Sequence, residues 1–171
     1  WRVKFTRILV CLMVFPFFSN AEPVKVGAAA PAAEATLDDG STAPLADFYG
    51  RGPVLVYFYP KADTPVCTKQ ACNLRDNITE LRDAEVTVIG VSGDKPESLR
   101  RFREKYDLPF VLVSDPNGKV GEAFGLKARM GTFYPRQTFL VVDGKVVWRD
   151  LRASPGSQSQ DALKALAAHG S

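Results

Sequence analysis

Val54-Leu55-Val56-Tyr57-Phe58-Tyr59-Pro60-Lys61-Ala62-Asp63-Thr64-Pro65-Val66-Cys67-Thr68-Lys69-Gln70-Ala71-Cys72 reads as a strand, a proline-marked turn and the start of a helix. Six consecutive apolar residues suit a central strand covered on both faces. Pro65 falls where a first helical turn tolerates proline, because no intrahelical N–H bond is lost there. From Pro65 to about Arg82, Cys67, Ala71, Leu74, Ile78 and Leu81 recur at spacings of three and four, which predicts one helix. Cys67 then sits at the helix N-terminus, where the positive end of the peptide dipoles favours an ionised thiol.

Cys72 lies on the same predicted helix. Across five helical residues the Cα atoms stand about 8.6 Å apart. A disulfide needs them within about 7 Å. The two sulfurs therefore bond only if the helix start unwinds. That suits a redox pair better than a static staple, although an even pair in an exported protein is usually structural.

The N-terminus reads as an export signal over residues 1–21, ahead of one domain over 22–171. Arg2, Lys4 and Arg7 precede an apolar run from Ile8 to Phe18, and Ser19-Asn20-Ala21 supplies small residues before Glu22. The run is shorter than the roughly 18 residues a membrane span needs, so no stable membrane insertion is expected. Cys11 is expected to leave with the signal. The expected location is outside the cytoplasm, in the periplasm. The chain has 22 basic and 19 acidic residues, and three of the basic ones lie in the signal. The remaining body is neutral, which argues against a nucleic-acid partner.

Further along, residues 24–35 read as an extended lead-in and Asp38-Asp39-Gly40 as a hairpin turn. Val86 to Val91 and Phe110 to Val113 read as strands. Pro96 to Tyr106 and Ser159 to His169 read as helices, and Val120 to Phe124 as one or two helical turns. Thr138 to Val142 and Lys145 to Trp148 flank Asp143-Gly144, the favoured type I′ hairpin pair. The order β-α-β-α-β-(α)-β-β-α implies an α/β fold of thioredoxin-like type, with a mixed central sheet and helices on both faces.

The segment from Tyr57 to Asp76 resembles the peroxiredoxins, and within them the PrxQ, or bacterioferritin comigratory protein, group. The similarity extends over most of residues 24–169, through Gly27, Pro31, Val91-Ser92, Asp94-Lys95-Pro96, Ser114-Asp115, Phe124-Gly125 and Arg136 to Val141. The resemblance implies a peroxidatic cysteine at Cys67 and a resolving cysteine at Cys72. It implies that Thr64 orients thiolate and peroxide, Pro60 shields the pocket and Arg136 lies beside the sulfur. It also implies a monomer. Val66 stands where many PrxQ members have glycine. Gln70 replaces a common glutamate, so a carboxylate is absent there. The stretch Lys127 to Pro135 is shorter than in some relatives.

The expected function is a thiol peroxidase for hydrogen peroxide and small organic hydroperoxides, with no metal or organic cofactor. Its reductant would be a thioredoxin-like dithiol protein outside the cytoplasm. A protein disulfide oxidoreductase of the same fold is the alternative, but Cys-x-x-Cys would be expected for it. A copper-delivery module would need a distal histidine, and His169 is the only histidine.

Overall fold

The computed structural model describes residues 22–170, so the expected signal over residues 1–21 lies outside the described residues. Among the described residues seven strands form one mixed sheet: β1 (Glu34–Leu37), β2 (Thr42–Pro44), β3 (Val54–Phe58), β4 (Thr87–Ser92), β5 (Val111–Ser114), β6 (Gln137–Val142) and β7 (Lys145–Asp150). Their spatial order is β2-β1-β5-β4-β3-β6-β7. The pairs β3–β4 and β4–β5 are parallel, and β1–β2, β1–β5, β3–β6 and β6–β7 are antiparallel. The parallel pairs require crossovers, which is why helices lie between these strands in the chain.

Every residue of β3 is buried. Its side chains alternate between two cores. Leu55 and Tyr57 join Leu74, Leu81, Leu99, Phe102 and Ala162 on one face. These come from α2 (Pro65–Asp76), α3 (Ile78–Asp83), α4 (Pro96–Lys105) and α6 (Gln158–His169). Val54, Val56 and Phe58 join Tyr49, Val120, Phe124 and Phe139 on the other face. There the covering elements are α1 (Ala46–Tyr49) and α5 (Lys119–Ala123). A continuous apolar run thus marks a strand with no solvent face, as expected.

The predicted helix over 65–82 is two helices. Asn77 breaks it, with Nδ2 donating to the Asn73 carbonyl at 2.7 Å. A local side-chain bond of this kind competes with the backbone ladder, and asparagine favours such breaks. The short α1 carries no periodic signal and was not expected. The Asp143-Gly144 hairpin is as expected, with φ of 49° and 70° placing both residues in the left-handed region that a type I′ turn requires. Ile78, Leu163 and Leu166 lie inward only in part, packed at the edge of the first core.

One close approach depends on glycine. Gly90 is paired with Tyr57 in the β3–β4 register, and a Cβ there would stand 2.7 Å from the Tyr57 ring. The Tyr57 ring therefore occupies the space that a side chain at position 90 would need. No described helix is long and apolar enough to cross a membrane.

Candidate active site

The site is built where β3 ends. Tyr59 N–H donates to the Val91 carbonyl at 3.1 Å, and the chain bends at Pro60. Ala62 N–H then donates to Asp94 Oδ2 at 2.7 Å, and Ser92 Oγ donates to the same oxygen at 2.9 Å. Asp94 follows β4, so the turn after β3 is held by the turn after its parallel neighbour. Asp63 takes a left-handed φ of 57°, which an aspartate tolerates better than most residues. Its carboxylate accepts from Lys105 Nζ at 2.8 Å and from the Tyr106 hydroxyl at 2.8 Å. The Lys105 bond, then the Tyr106 bond, hold the Asp63 carboxyl below its ordinary range.

Thr64 occupies the N-cap position of α2 with extended backbone, and its carbonyl accepts the Thr68 N–H at 2.8 Å. Its hydroxyl donates back to the Lys61 carbonyl at 3.0 Å and makes no capping bond to α2. Thr64 is therefore no side-chain cap of α2. Pro65 and Val66 complete the first turn, with Val66 51% exposed, so its departure from glycine adds an apolar group to the surface beside the site.

Cys67 follows on the inward side, 3% exposed. Two guanidinium nitrogens of Arg136 face its sulfur, Nη1 at 3.7 Å and Nη2 at 3.6 Å. The sheet register explains the meeting. Phe58 pairs with Gln137, so the residue before β6 lies beside the turn after β3. The Arg136 carbonyl is held in turn by Ala153 N–H at 3.2 Å. Cys72 is half-buried on the same helix, and both thiols are free. Tyr57 shares these surroundings. Burial first, then charge at Tyr59, Cys67 and Cys72, pushes its phenol well above the ordinary range, against a smaller opposite pull from Arg136.

The structure therefore brings Cys67 and Arg136 into contact and places Cys72 on the same helix, while Thr64 and Pro60 shape the turn leading to the sulfur. Residues assigned no role from the sequence alone complete the arrangement. Asp94, Asp63 and Lys105 hold the turn. Gln70 and Gln158, both fully buried, extend from Arg136 toward α6. Glutamine is mostly an exposed residue, so nothing in the sequence marked Gln158 as interior.

Comparison with known proteins shows the family and the fold. Residues 26–149 match the AhpC/TSA family. Peroxiredoxin Bcp of Escherichia coli K12 is 49% identical over 141 residues, which is 77% of this chain and 90% of that protein. The crystal structure of peroxidoxin BcpB from Mycobacterium tuberculosis superposes with a TM-score of 0.79 at 31% identity, covering 84% of this chain and 97% of that one. A Xanthomonas campestris bacterioferritin comigratory protein, described for its alkyl peroxide reduction activity, superposes with a TM-score of 0.75 at 28% identity. That match covers 88% of this chain and all of the other.

Proposed function

The chain belongs to the AhpC/TSA family and is a thiol peroxidase of the PrxQ type, and from that premise we propose how its residues divide the work. Cys67 is the nucleophile. The guanidinium of Arg136 and the free N–H groups of the first α2 turn stabilise negative charge at the sulfur and on the departing oxygen. The sulfur attacks one peroxide oxygen. An S–O bond forms, the O–O bond breaks, and its electron pair leaves on the far oxygen, which takes a proton and departs as water or an alcohol. Cys67 is left as a sulfenic acid.

The Cys72 thiolate then attacks that sulfur. The S–S bond forms, the S–O bond breaks, and hydroxide takes a proton to leave as water. An external dithiol returns two electrons by exchange and becomes a disulfide itself. Thr64 keeps the turn in shape through Lys61 and presents its oxygen beside the entry to the sulfur, and Pro60 covers that entry.

One observation carries the reading over the disulfide oxidoreductase alternative. Cys67 is 3% exposed with its sulfur turned to Arg136. A folded protein disulfide has no path to it, whereas a peroxide is two oxygens across at its reacting end. Hydrogen peroxide and small organic hydroperoxides are the proposed substrates, and a monomer the proposed state. Stopped-flow oxidation of the reduced protein, followed by mass analysis, tests the scheme. The parent should lose two hydrogens as the Cys67–Cys72 bridge forms. Cys72→Ser should gain one oxygen at an unchanged first rate and then fail to recycle with a dithiol donor. Normal recycling by Cys72→Ser would remove Cys72 from the mechanism.

Export is part of the same proposal, with cleavage after Ala21 and an exported dithiol protein as donor. It is supported by the basic start, apolar run and small residues of the N-terminus. The body from residue 22 on keeps its own ties, since Arg149 Nη1 donates to the Pro23 and Val24 carbonyls at 2.6 and 2.9 Å. A mature N-terminus at Glu22 after expression in a secreting host is the expected result.

A further inference from the structure

Arg136 does not hold its position by contact with sulfur alone. Nη1 donates to Gln70 Oε1, Gln70 Nε2 donates to Gln158 Oε1 at 2.6 Å, and Gln158 Nε2 donates to Thr138 Oγ1. The direction of this chain is set by its first member. A guanidinium only donates, so Gln70 must present its oxygen to Arg136 and its nitrogen to Gln158, and Gln158 must follow suit. Gln70, Gln158 and Thr138 are at most 1% exposed, so water cannot replace a missing partner.

The same bonds fasten α2 to α6. Gln70 lies between the two cysteines on α2. Three residues further on, Asn73 Nδ2 donates to the Gly156 carbonyl and Asn73 Oδ1 accepts the Ser159 N–H, both at 3.1 Å. Cys67 and Cys72 cannot bond while the turn containing Gln70 is helical, whereas the Asn73 clamp lies beyond the pair and can stay closed. Opening therefore has to break Gln70 away from Gln158.

We propose that Gln158 is a positioning residue of this peroxidase: it braces Arg136 through Gln70, and the same amide pair locks the helical turn that must open before Cys72 reaches Cys67. The proposal rests on the peroxidase reading above. It couples two steps through one contact. While the amide pair is closed, Arg136 stays aimed at the Cys67 sulfur and S–O bond formation is fast. Once Cys67 carries its oxygen, the pair must part before the Cys72 thiolate can displace that oxygen as water.

The test measures both steps in the full chain with hydrogen peroxide as the oxidant. Gln158→Leu should oxidise about tenfold more slowly, as a misaligned catalytic group does, and should form the bridge several-fold faster. A loosened helix alone could mimic that pattern, so Gln70→Leu/Gln158→Leu separates the roles. An apolar pair refastens α2 but cannot hold a guanidinium, so bridge formation should return toward the parent rate while oxidation stays slow. Unchanged rates in Gln158→Leu, or parent-like oxidation in the double variant, would overturn the brace. If Gln158→Leu fails to fold, the oxidation rate of the double variant decides alone. The parent is measured first. A parent in which peroxide leaves Cys67 unreacted, with neither added oxygen nor bridge, sinks the peroxidase reading itself, whereas unchanged variants beside a reactive parent sink only the role of Gln158.

Discussion

The α1–α5 face of the sheet and the first turns of α2 on the other face are held in different ways. On the α1–α5 face, Phe58 stacks edge-on against Phe124, Tyr134 and Phe139 with ring centroids 5.2 to 6.0 Å apart. The buried carboxylate near those rings is closed off, since Asp115 accepts from the Gly121 N–H and the Tyr134 hydroxyl. On the other face, the part of α2 from Pro65 to Cys72 buries only Cys67, Gln70 and Ala71. It is fastened mainly by amide bonds, whose net contribution is small because water can replace them once the helix opens. Large aromatic contacts have no such substitute. The α1–α5 face is thus a permanent anchor. The start of α2 can release a helical turn without losing the fold, because its own face keeps the buried rings of Tyr57, Tyr59, Phe102 and Phe110. That is the distribution of local stability that a moving catalytic segment requires.

Substitutions on the two faces should break apart accordingly. The largest effect belongs to Cys67→Ser, which should abolish peroxide consumption with the fold intact by circular dichroism. Turnover at the parent rate would remove the central assignment. Phe139→Ala, on the anchored face, should lower unfolding free energy by about 3–5 kcal/mol in denaturant titration. The oxidation rate of the folded fraction should stay as it was, and a large drop in that rate would mean the two faces are coupled.

Arg136→Ala should do the reverse. It removes a donor at the site of developing charge, so oxidation of Cys67 should slow about a hundredfold. Stability should fall by only about 1–3 kcal/mol, from the buried Gln70 Oε1 left unpaired, and an unchanged oxidation rate would exclude Arg136 from catalysis. The smallest effect is expected at the rim of the mobile side. Asp63→Asn keeps a residue that accepts the left-handed φ but loses the ion pair to Lys105. The Asp63 carboxyl is held below its ordinary range, so its contribution is present above about pH 4 and is lost as pH falls through the lower folded value. The variant should melt slightly earlier than the parent at neutral pH and together with it in strong acid. A gap that widened with acid would contradict this sign.

Much of this contrast was legible in the chain and part of it was not. The run Val54 to Tyr59 announced a strand without a solvent face, because six apolar residues leave no polar side to expose. Asp143-Gly144 announced its hairpin, since few other pairs accept two left-handed residues in succession. Cys67 at a helix start was visible as chemistry from local spacing alone. Periodicity carried the α2 reading too far, through Asn77, because the apolar pattern continues past a break that a local side-chain bond makes. Arg136 came from the family resemblance, and no spacing in this sequence connects it to Cys67. Gln158 was not visible at all, since a buried glutamine looks like any other until its partners are known.

What the sequence by itself determined is therefore local: which segments are strand or helix, where the reactive thiol stands, and that a second thiol lies one helical stretch beyond it. Only the tertiary structure decided what surrounds that thiol. Arg136 is 69 residues from Cys67 along the chain and reaches it because β6 runs antiparallel beside β3 in one particular register. Gln158 is 88 residues from Gln70 and meets it because α6 packs on α2. Hydrogen bonds between distant residues depend on a register and a packing angle that the whole core selects, and no short stretch of sequence holds that information.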